Sequence, residues 1–119
     1  FCVGIMGDGD FAMSSGAIWS AVHNRAPMLL VINNNTTWGN DEKHQIQVAS
    51  DRKRPIENAW IGQRMINPDI DHAMIARGYG AWAAGPIHDP ALLGPVFRQA
   101  VEEVEKGRVA VVEVRTILV

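Results

Sequence analysis

Residues 1–39 read FCVGIMGDGDFAMSSGAIWSAVHNRAPMLLVINNNTTWG, and this stretch decides the fold. Phe1-Cys2-Val3-Gly4-Ile5-Met6 is a continuous apolar run, the pattern of a strand buried on both faces. Met28 to Ile32 is a second such run. Between them, Ser14 or Ser15 is placed to cap a helix reaching about Asn24, with Ala17, Ile18, Ala21 and Val22 as its apolar stripe. Pro27 closes the connection. Strand, helix and parallel strand make a βαβ unit. That unit brings Gly7-Asp8-Gly9 and Asn33-Asn34-Asn35 to one edge of a parallel sheet, at the carboxyl ends of its strands, where ligands of open α/β sheets generally bind.

Outward from this unit the periodicity fades between Asn33 and Met65, leaving a long connection with a short helix at about Asp41 to Ala49. A connection of that length in a compact domain is usually functional or mobile. Asn67-Pro68 supplies an N-cap and a first-turn proline for a helix running through Ile70, Ala73, Met74 and Arg77 to Gly78. Ala81-Trp82-Ala83 reads as a short strand. Asp89-Pro90 opens a last helix with Leu93, Val96, Phe97, Ala100, Val101 and Val104 on its apolar face, ending at Gly107. Pro95 lacks an amide donor, so this helix either kinks there or begins near Gly94-Pro95. Val109 to Val114 is a final strand. The pattern predicts an α/β fold with a mainly parallel sheet and helices on both faces.

The chain has 119 residues, one domain at most, with 47% hydrophobic and 20% charged residues, so a disordered, polyanion-wrapping chain is excluded. A net charge of -2 gives no reason to expect a nucleic-acid partner, and the short run Asp51-Arg52-Lys53-Arg54 reads as a solvated or interface loop. No apolar stretch approaches membrane-spanning length. The lone Cys2 leaves no internal disulfide and fits a reducing, cytoplasmic compartment. Phe1 falls directly in an apolar strand and Val119 closes another apolar stretch. Residues 1–119 are therefore expected to be a fragment of a longer protein, a domain incomplete at its N-terminal side. Four tryptophans, Trp19, Trp38, Trp60 and Trp82, suggest interface surface.

The glycine-aspartate-glycine segment has a definite chemical use. Its glycines let the backbone turn sharply and approach a ligand closely. Free amides in the turn can receive phosphate oxygens. Asp8 supplies a hard carboxylate oxygen for magnesium or calcium, and Asn35 a neutral amide oxygen suited to a cation already facing anionic ligands. The Thr37 carbonyl is a third oxygen, as the loop turns toward Gly39. The glycine spacing is not that of a dinucleotide site, no acid ends the second strand, and the P-loop lysine is missing.

Gly7-Asp8-Gly9 followed after about 25 residues by Asn34-Asn35 resembles the cofactor motif of thiamine-diphosphate-dependent enzymes. The whole of GDGDFAMSSGAIWSAVHNRAPMLLVINNNTTWG is similar to the C-terminal diphosphate-binding domain of the acetolactate synthase, benzoylformate decarboxylase and pyruvate decarboxylase group. The likeness extends to Asn67-Pro68-Asp69 and to the closing Val-Glu-Val strand. It implies a thiamine-diphosphate-binding fold with Mg2+ held by Asp8, Asn35 and Thr37. It also implies a cofactor surface of Gly7, Asp8, Gly9, Asp10, Phe11, Asn35, Thr37 and Trp38. Asp10 departs from the serine or alanine common there, and its carboxylate must turn away from a diphosphate or reach the metal through water. The segment Asn40 to Gln45 also departs from the best-known decarboxylases.

The resemblance implies a 2-oxo acid decarboxylase or carboligase, acetolactate-synthase-like, in which the cofactor performs the difficult chemistry. A carbon-carbon hydrolase of a diketone and a non-catalytic domain that retains cofactor binding are the alternatives. The activating glutamate is expected on a separate pyrimidine-binding domain, from the same or another chain, so these residues alone are expected to be inactive. A homodimer or homotetramer acting on a small 2-oxo acid or ketone follows, with no nucleic-acid or membrane partner. Glu42 has no matching motif. His44 is a candidate acid-base group, its alternative a hydrogen-bonded loop residue. His23, His72 and His88 stand singly and read as structural or surface residues. Arg52, Arg54 and Arg64 read first as ion-pair or interface residues, with a substrate carboxylate as the alternative. Trp60-Ile61-Gly62 reads as a packing anchor for the long loop.

Overall fold

The structure is a computed structural model that describes residues 1–117; Val119, the end of the last apolar stretch, lies outside the described residues. Four strands, β1 (Val3–Gly7), β2 (Met28–Asn34), β3 (Trp82–Ile87) and β4 (Val109–Arg115), form one sheet in the order β1-β2-β4-β3. Every neighbouring pair is parallel. Five α-helices join them: α1 (Asp8–Ser14), α2 (Gly16–His23), α3 (Gly39–Asp51), α4 (His72–Gly78) and α5 (Leu93–Glu105).

The central strands are apolar on both faces because both faces are covered. Leu30, Ile32, Val109 and Val111 point into one core with Phe11 of α1, Ile18 of α2 and Ala76 of α4. The alternating residues Leu29, Ala110 and Val112 point into a second core with Ala100 and Val104 of α5. Helices therefore lie on both faces of a parallel sheet, as predicted. The second core stops short of β1. Val3 and Ile5 pair with Leu29 and Val31, yet they are 53% and 77% exposed, so α5 does not cover this edge.

Several boundaries differ from the sequence expectation, each for a local reason. The helix expected from Ser14 or Ser15 to about Asn24 is α2, with Ser15 at its N-cap position and Asn24 at its C-cap, and α1 is an additional helix ahead of it. α1 starts at Asp8, with Gly7 in extended conformation as its N-cap and Asp8 and Asp10 in its first turn, where acids suit the positive end of the helix dipole. Neither flanking serine caps through its side chain; Ser14 instead donates its hydroxyl to the Asp10 carbonyl at 2.7 Å. β2 runs on through Asn34, two residues beyond Ile32. α4 begins after Asp71, whose side chain accepts the Met74 amide, and not at Asn67-Pro68. Ile70 consequently lies in the approach to the helix. Pro95 is harmless because α5 starts at Leu93, which places the proline in the first turn, where amides have no helical partner. Trp60 and Ile61 are 45% and 57% exposed, so they do not bury the loop as an anchor. Trp60 instead carries the Arg64 guanidinium over its ring at 5.9 Å.

Candidate cofactor site

The β1–β2 register aligns Gly7 with Asn33, so the two strand tips emerge side by side. An open cleft of about 340 Å3 lies at this edge. Gly7, Asp8, Gly9, Asp10, Asn35, Thr37 and Trp38 all line it, together with Asn33 and the first residues of α3. Of the cofactor surface implied by the sequence, Phe11 alone is absent from the lining. Its side chain is 1% exposed and sits edge-on to His72 at 5.4 Å, because the first turn of α1 rotates position 11 into the core.

Asp8 is 2% exposed, and its Oδ2 has no hydrogen-bond partner among the described residues. Burial pushes its carboxyl above the usual aspartate range, against the pull of the Gly9, Asp8 and Thr36 amides and of His72. A buried, unpartnered carboxylate oxygen is costly and calls for a positive partner. No cluster of three or more His, Cys, Asp or Glu side chains forms among the described residues, so a cation here relies on one carboxylate plus neutral oxygens. That donor set suits a hard divalent ion that brings anionic ligands of its own.

The neutral oxygens come from a tightly held turn. Asn35 Oδ1 accepts the Thr37 amide at 3.1 Å, which leaves a lone pair free, and Asn34 Oδ1 accepts the Thr36 amide at 3.0 Å. Thr36 has φ +57, a left-handed conformation that costs a β-branched residue about 1–3 kcal/mol. Its hydroxyl donates to the Asn35 carbonyl at 2.7 Å. Thr37 is buried, with Oγ1 3.0 Å from Glu42 Oε2 and 3.2 Å from the Gln63 carbonyl. No backbone amide reaches the Thr37 carbonyl among the described residues. The Trp38 indole lies directly on Gly9; a Cβ there would come within 2.8 Å of the ring. Asp10 is exposed and folds back toward Gly7, where an added Cβ would meet its Oδ2 at 3.4 Å.

The family described as "Thiamine pyrophosphate enzyme, C-terminal TPP binding domain" matches residues 1–114. The chain belongs to this family. Among solved structures, this TPP-binding domain is similar to a Rhodococcus jostii RHA1 thiamine diphosphate-dependent 4-hydroxybenzoylformate decarboxylase, at TM-score 0.72 and 24% identity. It is also similar to a protein from Mycobacterium smegmatis assigned to the thiamin diphosphate-dependent enzymes, at TM-score 0.65 and 22% identity. Each likeness covers 98% of this chain but only 20% and 18% of the other, so the TPP-binding domain spans about a fifth of those proteins. No curated protein matches the sequence.

Other candidates fall outside the cleft of the TPP-binding domain. His44 lines a separate cavity of about 390 Å3 along α3, together with Arg52 and Arg54. His23 stacks on Trp19, with ring centroids 4.9 Å apart, and His88 is exposed. No helix among the described residues is long and apolar enough to cross a membrane. Cys2 is a free, exposed thiol.

Three buried residues were not assigned to this site from the sequence. His72, 1% exposed and without a partner at Nδ1 among the described residues, lies beneath it against Phe11. Glu42 anchors Thr37 and receives Arg64 Nη2 at 2.9 Å. Glu113, 0% exposed, holds Asn34. Glu113 carried a legible signal, as the one charge inside the apolar run Val109 to Val114.

Glu42 yields a pH prediction. The hydrogen bond from Arg64 holds its carboxyl below the usual glutamate range, outweighing burial, with help from Thr37. A lowered folded value means that this contribution to stability is complete above the ordinary glutamate range and is lost as pH falls through the folded value. Glu42→Gln should therefore lower the Tm at neutral pH. The gap from wild type should close in thermal melts as pH falls from the ordinary glutamate range through the lowered folded value. A gap that stays constant across that range would show that the ionised pair contributes nothing.

Proposed function

We propose that this TPP-binding domain anchors thiamine diphosphate through its diphosphate and a Mg2+ ion. In this reading it is the cofactor-holding part of a cytoplasmic enzyme that decarboxylates a 2-oxo acid or transfers the resulting fragment to a carbonyl acceptor. The observation that carries the reading is the buried, unpartnered Asp8 oxygen at a cleft shared with Asn35 and Thr37. Asp8, Asn35 and the Thr37 carbonyl would hold the metal, and Gly9 and the neighbouring turn amides would meet the diphosphate. When bound, the cofactor supplies the carbon nucleophile for attack on the substrate carbonyl. Trp38, seated on Gly9, would wall the cleft and keep water from it. Asp10 lines the same cleft, so its carboxylate would have to turn away from the phosphates or reach the metal through water.

The activating glutamate is assigned to a separate pyrimidine-binding domain, within a homodimer or homotetramer. The buried Glu42 supports that assignment, since it is already committed to Thr37 and Arg64. The decarboxylase among proteins of similar fold accords with the reaction class.

Calorimetric titration of the full-length protein with thiamine diphosphate tests the reading. Binding should weaken by more than about tenfold, some 1.4 kcal/mol, when Mg2+ is chelated. Binding indifferent to Mg2+ would refute the metal anchor. Product analysis with pyruvate, benzoylformate and a cyclic 1,2-diketone separates decarboxylation, carboligation and hydrolysis.

A further inference from the structure

Glu113 lies in the middle of the sheet with no solvent exposure, between Val112 and Val114 on β4. Burying a carboxyl group in an apolar sheet is costly, and a valine there would suit the surrounding core better. Each of its two oxygens accepts one hydrogen bond. Oε1 accepts the Asn34 Nδ2 amide at 2.6 Å, and Oε2 accepts the Ala73 backbone amide in the first turn of α4 at 2.9 Å. Because Oε1 can only accept, the Asn34 carboxamide has one allowed orientation, with its nitrogen toward Glu113. Its Oδ1 is then left facing the Thr36 amide, which it accepts at 3.0 Å. Thr36 is the residue held in the left-handed conformation, and such strain persists only where the surroundings over-determine it. On either side of it stand Asn35 and Thr37, the two neutral oxygen donors of the cleft.

We propose that Glu113 is a positioning residue for the metal-binding turn. By fixing which way round the Asn34 amide sits, it holds Thr36 in its strained conformation and sets Asn35 and Thr37 against the cleft. This rests on the cofactor reading above. The same side chain ties the start of α4, which carries His72 beneath Asp8, to the other half of the site. Outer partners of this kind typically change metal affinity by 10–100-fold without touching the ion.

The chemistry of the pair offers a specific test in the full-length protein. Glu113→Gln keeps shape but replaces one acceptor with an N–H2 donor. That donor must face either the Ala73 amide or the Asn34 amide; the second case turns Asn34 over and opposes its nitrogen to the Thr36 N–H. The double variant Asn34→Asp/Glu113→Gln exchanges carboxylate and carboxamide. The new carboxylate at position 34 can then accept from both the Thr36 amide and the carboxamide nitrogen at position 113. The carboxamide oxygen at position 113 still accepts from Ala73, so each of the contacts made by the wild-type pair has a counterpart.

Amide hydrogen exchange at Thr36 in the cofactor-free protein should speed up at least about tenfold in Glu113→Leu, which leaves the Asn34 amide no acceptor, and in Glu113→Gln only where the new donor faces Asn34. Mg2+ half-saturation, measured at fixed thiamine diphosphate, should rise about 10–100-fold. Both should return to within about threefold of wild type in the double variant. Wild-type exchange and affinity in Glu113→Leu would overturn the proposal, as would a double variant in which either quantity stays more than about threefold from wild type. If Glu113→Leu does not fold, the double variant decides, since it must fold and bind Mg2+ near normally. Wild-type protein that binds no thiamine diphosphate would instead overturn the cofactor reading, while Thr36 exchange still decides whether Glu113 holds the turn.

Discussion

Replacing Asp8 by asparagine is expected to weaken Mg2+-dependent thiamine diphosphate binding by at least about 100-fold while making the cofactor-free protein more stable. The two effects have one cause. The Asp8 carboxyl is 2% exposed, its Oδ2 has no protein partner among the described residues, and burial raises its pKa. A folded value above the unfolded one means that the native state binds the proton more tightly, so ionised Asp8 costs stability at neutral pH. Asparagine removes that cost. The Tm of cofactor-free Asp8→Asn should therefore exceed that of wild type at pH 7. The difference should shrink as pH falls through the raised Asp8 value. His72 is the titratable neighbour that acts on Asp8, and it opposes the shift. With cofactor and Mg2+ present the order reverses. A ligand at 100 times its Kd stabilises the folded state by about 2.7 kcal/mol, and only wild type receives it. Melts with and without ligand check both halves. A variant less stable than wild type in both conditions would make Asp8 a structural residue.

The second large effect is expected at Gly85, on the far edge of the sheet from Asp8. Its φ is +130, a region that residues with a side chain rarely adopt, and the β3–β4 register is irregular between Ala84 and Ile87. An added Cβ would lie 2.5 Å from the Glu113 carbonyl oxygen and 2.7 Å from its Cβ. Neither atom belongs to a flexible side-chain end, so relief requires the backbones of β3 and β4 to separate. Gly85→Ala should cost about 3 kcal/mol by denaturant unfolding, combining strained φ and steric overlap. Because the strained contact falls on Glu113, the substitution should also disturb Asn34 and weaken Mg2+ binding. A change under about 0.5 kcal/mol, the usual range for surface positions, would show that β3 can move aside freely.

Much of this architecture was legible because it is local. Phe1 to Met6 and Met28 to Ile32 announce buried strands by continuous apolar character, and the Asp8 and Asn35 tips follow from joining them through one helix. The helix placed from Ser14 or Ser15 is α2, but α1 ahead of it was not read, because Gly7-Asp8-Gly9 has the composition of a turn. Gly7 caps without a side chain, and the two aspartates of the first turn were the available signal. α4 offered two N-terminal signals, Asn67-Pro68 and Asp71. The choice between them is tertiary, since Glu113, forty residues away in sequence, accepts the Ala73 amide. The turn from Asn34 to Thr37 was equally opaque. Its anchors are Glu113, 79 positions from Asn34, and Arg64, 22 positions from Glu42, and no window of local pattern spans either distance.

Asn33-Asn34-Asn35 looks like threefold redundancy, yet the strand makes three different parts of it. Asn33 is exposed and accepts the Thr116 hydroxyl at 2.8 Å. Asn34 points into the sheet toward Glu113, and Asn35 faces the cleft. A saturation survey of these codons should accordingly return three unlike tolerance profiles. Position 33 should accept most polar residues, position 34 should accept aspartate only with a matching change at 113, and position 35 should accept oxygen donors alone. Three copies of one letter therefore carry three separate pieces of information, and a shift of the strand by a single residue would scramble all of them at once.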